Sequence, residues 1–427
     1  MNKEKISDFV DVWAETVGLK ETRYINVIKN DILKRCAMYE KEISTISTKD
    51  DSCDSYIIKP VNESYSLEDF FLNRLMLGLR KIDFSSALEG NSGEYTAGNK
   101  SLSVNVGMLN SRISEKATRH KGLENKNIQI IKKTIEHELG HCFKSAFTNG
   151  YKAPLYSDRT QDTIYENLIN NLTNYKNGKY ANQIKTVKEL NSNEYSEEIK
   201  VGVHDSKANY NHDFRVQWID EMLNETEALE LTSSNDIHET WPLQNDQGKN
   251  SPSGNYVNVY NYISGYSTFT GYGNIFKAIL GKEKCFNAEY ISSIDIFKEF
   301  DKEYADIVKE VWGLDNCLPI QAMYLDFNAL LNKKQFNENI MLKLDEFFAK
   351  CYQKKIDKII TQNNGNIDKS FEESVLPSSA FTAPIFFSAV FFCSSVSSCS
   401  VNATAISFSS SLSFSGNSSL FAFIEIS

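Results

Sequence analysis

His137 and His141 stand four residues apart in the stretch Thr134-Ile135-Glu136-His137-Glu138-Leu139-Gly140-His141-Cys142-Phe143. On a helix that spacing stacks both imidazoles on one face. Two neutral imidazoles so placed can take adjacent corners of a metal tetrahedron, and zinc is the ion this donor pair fits best. Glu138 lies one step round the helix from His137. From there its carboxylate can reach a water beside the metal without ligating the metal, and can accept the proton that the metal loosens. The chain has only six histidines, so the pattern does not come from histidine-rich composition.

A helix that presents such groups must bury its other faces. Ile128, Ile131, Ile135, Leu139, Cys142, Phe143 and Phe147 recur at three- and four-residue steps, as a core-packed helix requires. Cys142 falls on a different face from the histidines and reads as core, the usual place of a free cysteine.

The stretch resembles the zincin metallopeptidases. In their metzincin branch the motif continues to a glycine and a third histidine; Lys144 and Phe147 occupy those places here, which sets that branch aside. The resemblance then implies a gluzincin-like arrangement, with a glutamate on a second helix as third ligand. Residues 214–229 are rich in helix formers, and Glu221 and Glu225, four apart, share a face. Trp218-Ile219-Asp220-Glu221 is similar to the W-x-N-E run of the aminopeptidase group, with Asp220 in the asparagine's place. On that resemblance Glu221 is the third ligand and Glu225 the carboxylate that supports a ligand histidine. Asn224-Glu225 also resembles the thermolysin-type N-E pair, which leaves Glu225 open as the ligand, with His204, His212 and His238 behind it.

What the resemblance implies is hydrolysis of peptide bonds with one Zn2+ per chain, Glu138 as general base, and a peptide or protein as substrate. Enzymes of this kind place a tyrosine or histidine against the developing oxyanion; Tyr256, Tyr260, Tyr262, Tyr266, Tyr272 and His238 are the candidates. Two other readings stay open: a zincin-fold binding or regulatory protein without turnover, and a protease-type toxin acting on one host protein.

The elements that must position this chemistry point to an α+β fold: a zincin-like lobe with a mixed sheet, an edge strand and the motif helix, followed by a mainly helical lobe. Residues 1–90 form an N-terminal helical region, with Tyr24, Ile28, Ile32 and Cys36 as a stripe, and a second helix starting at Ser66 with Asp69 as its capping partner. Residues 90–98 read as a loop. Lys100 to Val106 alternates as a strand, and the resemblance makes it the edge strand bordering the cleft. The metallopeptidase domain spans 91–365. Within it, 150–208 is an Asn-, Lys- and Tyr-rich insertion with a helix near 164–175 and a strand-like piece at 199–203. Residues 240–365 form the helical lobe, with amphipathic stretches at 275–280, 291–300, 304–311 and 340–360.

A net charge of -10 and a pI near 5.3 argue against nucleic acid as a partner. Lys, Asn, Ile and Tyr are abundant and Pro scarce, as in AT-rich bacterial coding. The first residues lack the long apolar block of a secretory signal, and eight scattered cysteines without a C-x-x-C pair fit free thiols. Both point to the cytoplasm. Residues 374–427 are low in complexity and rich in Ser and Phe, with no charge from Ser374 to Ile424. The serines make this a poor membrane span. Such a tail reads as non-native to the fold, a frameshifted or antisense read through Lys- and Glu-rich codons, with a weak membrane or interaction segment as the alternative.

Overall fold

The computed structural model describes residues 1–48, 56–84, 92–97, 100–107, 109, 127–145, 163–186, 217–232, 240–242, 256–258, 270–291, 293–332 and 338–363. Its architecture is mixed α+β and mainly helical. Helix α1 (Lys3–Val17) opens with the Asn2 side chain accepting the Lys5 N–H at 3.0 Å. It stops at Gly18, whose φ of 77° is a left-handed conformation that glycine adopts without a Cβ clash. Helix α2 (Thr22–Tyr39) follows. Helix α3 (Leu67–Gly78) begins as the sequence predicts, with Ser66 Oγ accepting the Asp69 N–H at 3.2 Å.

These three helices share one core with the motif helix α4 (Asn127–Phe143) and with α5 (Thr163–Asn174). Phe9, Trp13, Ile28, Phe71, Leu75, Ile135, Leu139 and Phe143 are all buried in it. Helices α1, α2 and α3 therefore share their core with the motif helix. The helix expected near 164–175 lies in the same core through Tyr165, Leu168 and Leu172.

Strands β1 (Ile46–Ser47) and β2 (Ser64–Tyr65) form a small antiparallel pair. Strands β3 (Lys81–Asp83), β4 (Gly93–Thr96) and β5 (Ser101–Val104) form a sheet in the order β3-β5-β4, with β3 parallel and β4 antiparallel to β5. This corrects two expectations. The strand expected at the edge, within 100–106, is central. The edge strand against the motif helix is β4, inside the stretch read as a loop. Local punctuation by Gly90, Gly93 and Gly98 reads as a turn, but pairing with β5 overrides it. Strands β6 (Thr240–Pro242) and β7 (Tyr256–Asn258) make a third small pair.

A second core is built by α6 (Gln217–Thr232), α7 (Thr270–Leu280), α9 (Ser293–Trp312), α10 (Pro319–Asn332) and α11 (Glu338–Gln362), around Phe276, Phe297, Phe300, Met323 and Phe347. Between α7 and α9 come α8 (Lys282–Phe286) and a π-helical turn, Asn287–Ile291. From Ser293 onward, the stretches expected at 291–300 and 304–311 belong to a single helix, α9, while Ile291 ends the π-helical turn. Helix α10, opened by Pro319 at its first position as proline favours, was not anticipated. Helix α6 joins the two cores: Ile219, Met222 and Leu223 face the second, Leu229 the first.

The strand-like piece at 199–203, His204, His212, His238 and residues 374–427 lie outside the described residues. Among the described residues no helix is long and apolar enough to cross a membrane, and Cys36, Cys142, Cys285, Cys317 and Cys351 are free thiols.

Candidate metal centre

Helices α4 and α6 pack face to face, and their approach depends on a residue without a side chain. A Cβ on Gly140 would lie 1.8 Å from Asn224 Oδ1. With glycine there, Asn224 reaches across and donates its Nδ2–H to the His137 carbonyl at 2.5 Å. Lys144 Nζ donates to Asn224 Oδ1 at 3.3 Å. Apolar residues of α4 (Ile131, Ile135, Leu139, Phe143) fill the first core, which leaves His137, Glu138 and His141 on the side facing α6 and β4.

Three side-chain atoms converge between the helices. His137 Nε2 and His141 Nε2 are 3.2 Å apart, and Glu221 Oε2 lies 3.3 Å from the first and 3.6 Å from the second. Corners of a tetrahedron whose centre is 2.0–2.1 Å from each ligand are about 3.3–3.4 Å apart. His137, His141 and Glu221 thus have the spacing to hold a metal ion.

The outer nitrogens point the same way. Asp220 Oδ2 is hydrogen-bonded to His141 Nδ1 at 3.0 Å, and Glu225 Oε2 lies 3.0 Å from His137 Nδ1. A carboxylate at Nδ1 holds the proton there and turns the lone pair of a neutral imidazole onto Nε2. In that tautomer two nitrogen lone pairs and a carboxylate oxygen face one another within 3.6 Å, an arrangement that a metal ion between them would reconcile.

Charge in the site tells the same story. Asp220, Glu221, Glu225 and Glu138 surround the two imidazoles, and Lys133, paired with Glu225, is the ammonium in contact with them. Burial opposes charge on His137, yet the neighbouring Glu221 and Glu225 raise its pKa to about 9. His141 is raised further, again against burial, by Asp220 and Glu221. Burial likewise opposes ionisation of Glu221, but His141 and His137 hold it down at about 2. The centre attracts positive charge, whether protons or a metal.

Glu138 is the odd carboxylate. It touches no ligand nitrogen within ion-pair distance among the described contacts, and burial pushes its carboxyl up from the ordinary value. It accepts the Tyr95 backbone N–H of edge strand β4. A Cβ on Gly93 would meet Glu138 Oε1 at 2.7 Å, so the strand passes directly over it.

The structure brings together His137, Glu138, His141, Glu221 and Glu225, all singled out in the sequence. Of the two acids read as alternatives, Glu221 is the one whose oxygen meets both Nε2 atoms; Glu225 sits behind His137. Asp220 was read only as a replacement for asparagine, yet it holds His141; its neighbour Glu221, one step round the helix, was the available signal. Lys133 was missed, although it stands four residues before His137 on the same helix face. Tyr272, one of the oxyanion candidates, is corrected: it is 3 % exposed in the second core and donates its hydroxyl to Asp345 at 2.7 Å. Tyr260, Tyr262, Tyr266 and His238 lie outside the described residues, as does the side chain of Tyr256.

Behind the centre a second ionic cluster joins α6, through Glu227, to α2, to Lys144 just past α4 and to the π-helical turn. Arg35 bonds Asp31, Glu227, the Tyr290 hydroxyl and the Glu136 carbonyl. Lys144 pairs with Glu227 at 2.8 Å and Glu289 at 2.6 Å. Tyr39 donates to Glu227 at 2.6 Å. Arg74 donates to the Phe143 and Ser145 carbonyls, so a cation closes the C-terminal end of the motif helix where the helix dipole favours one.

No family model matches the chain, and comparisons with curated proteins and with solved structures return no match either.

Proposed function

We propose that the chain is a zinc-dependent metallopeptidase of gluzincin-like type, with His137, His141 and Glu221 as metal ligands and Glu138 as general base. The observation that carries this reading is the convergence of two Nε2 atoms and one carboxylate oxygen at 3.2, 3.3 and 3.6 Å, beside a buried carboxylate that ligates neither histidine. The resemblance of the motif to the zincins supports it.

Zinc at this position supplies Lewis acidity, acidifying water and polarising the scissile carbonyl. Glu138 takes a proton from the attacking water as its oxygen adds to the carbonyl carbon, and returns it to the nitrogen as the C–N bond breaks. Asp220 and Glu225 keep the ligand histidines in the tautomer that presents Nε2. Edge strand β4 runs past Glu138, so an extended peptide laid along it would bring its backbone to the base.

The test is Glu138→Gln in the full chain, assayed against a peptide library. The expected result is hydrolysis by wild type, a loss of about 10²–10⁴-fold in the variant, and unchanged zinc content. A variant that still cleaves at the wild-type rate contradicts the assignment. Zinc-loaded wild type that cleaves no peptide of the library moves the reading to a binding or regulatory protein built on the same centre.

A further inference from the structure

We infer that Lys133 is a positioning residue of the metal centre: it grips one oxygen of Glu225 and so presents the other to His137. This rests on the metal-centre reading above. Lys133 lies one helical turn before His137, so its side chain runs along the same face of α4. It is 4 % exposed, Glu225 is 1 % exposed, and its ammonium pairs with Glu225 Oε1. The opposite oxygen, Oε2, is the one 3.0 Å from His137 Nδ1. The order Lys133–Glu225–His137 is therefore a line of contacts that ends on a ligand.

A carboxylate on a two-torsion stem has many orientations, and only some place an oxygen in the plane of the imidazole. With one oxygen fixed by an ammonium from the helix that also carries His137, the second is constrained relative to that ring. At His141 the partner, Asp220, has a shorter stem and fewer rotamers. The centre thus holds one histidine through a short acid, and the other through a longer acid that needs a clamp.

The experiment is metal affinity, by competition of Zn2+ and Co2+ with a chelator, in the full chain. Lys133→Met should weaken both metals by about 10–100-fold, the range expected when support behind a ligand is lost. Lys133→Arg, which keeps a charged donor, should restore affinity to within a few-fold of wild type. Lys100→Met serves as control, since Lys100 is equally buried but bonds Leu77 C=O and Tyr165; it should lower stability and leave affinity alone. If Lys133→Met does not fold, a cycle with Lys133→Gln and Glu225→Gln takes its place. There the effect of Lys133→Gln should vanish once Glu225 is Gln. Wild-type or tighter affinity in Lys133→Met, or an equal loss in both Glu225 backgrounds, overturns the inference. Wild type that binds neither metal overturns the metal-centre reading itself, and is told apart by that.

Discussion

Helix α6 contributes acids to two buried ionic clusters, Glu221 and Glu225 to one and Glu227 to the other, and the clusters differ in one respect. In the cluster around Glu227, Arg35, Lys144 and Lys277 face Asp31, Glu227 and Glu289, and Tyr39 and Tyr290 add hydroxyls to Glu227. Charges match, and Glu227 is held well below the usual carboxylate range against its burial, chiefly by Lys144, Lys277 and Arg35. Around His137 and His141, among the described residues, the carboxylates of Asp220, Glu221, Glu225 and Glu138 meet one ammonium, that of Lys133, and a Glu221 oxygen faces both Nε2 atoms. A balanced buried cluster finishes its own electrostatics and serves to hold helices in register. An unbalanced one is complete only with something added. The contrast separates scaffold from centre along one helix, α6.

The sharpest way to break that contrast is Glu227→Ala. It leaves Arg35, Lys144 and Lys277 with two carboxylates, Asp31 and Glu289, in place of three, and loss of one partner from a buried ion pair costs about 3–5 kcal/mol. Denaturant unfolding should show this, while zinc per folded chain stays as in wild type. A large fall in metal content among folded molecules would merge the two clusters into one. Glu225→Gln is the reverse case: metal affinity should drop about 10–100-fold, with a smaller change in the unfolding midpoint of metal-free protein. Gly140→Ala tests the contact between the helices. Its Cβ would displace Asn224 and break the bond to the His137 carbonyl, at about 1–3 kcal/mol, with weaker metal binding as α6 moves away.

The smallest effect lies away from both clusters. Burial raises Asp345 to about 6, with the Tyr272 hydroxyl opposing. A carboxyl raised on folding contributes stability that is full below its unfolded value, 3.8, and is lost as pH rises through about 6. Asp345→Asn should therefore flatten the stability profile between about pH 4 and 6 and leave metal content unchanged. A profile identical to wild type would show that Asp345 titrates normally.

The centre was far more legible in the sequence than the scaffold around it. His137, Glu138 and His141 announce themselves because their chemistry needs a fixed helical spacing, and Glu221 and Glu225 follow the same rule. Asp220 and Lys133 escaped because their roles depend on which way α6 is rotated against α4, and helical spacing within one element does not encode that. Strand β4 escaped for a related reason: Gly93 is there to let Glu138 pass, yet in isolation it looks like a turn residue. Arg35, Lys144 and Glu227 look like ordinary surface charges, since only tertiary packing reveals that each is matched and buried. Tyr272 shows the converse error, a residue of suitable chemistry whose hydroxyl is engaged by the second core.

The most direct test of the central claim is zinc per folded chain, wild type beside Glu221→Ala, with circular dichroism to show that both are folded. Wild type should carry about one zinc, as three protein ligands and an open position require, and the variant little or none. Equal zinc in both, or none in folded wild type, would contradict it.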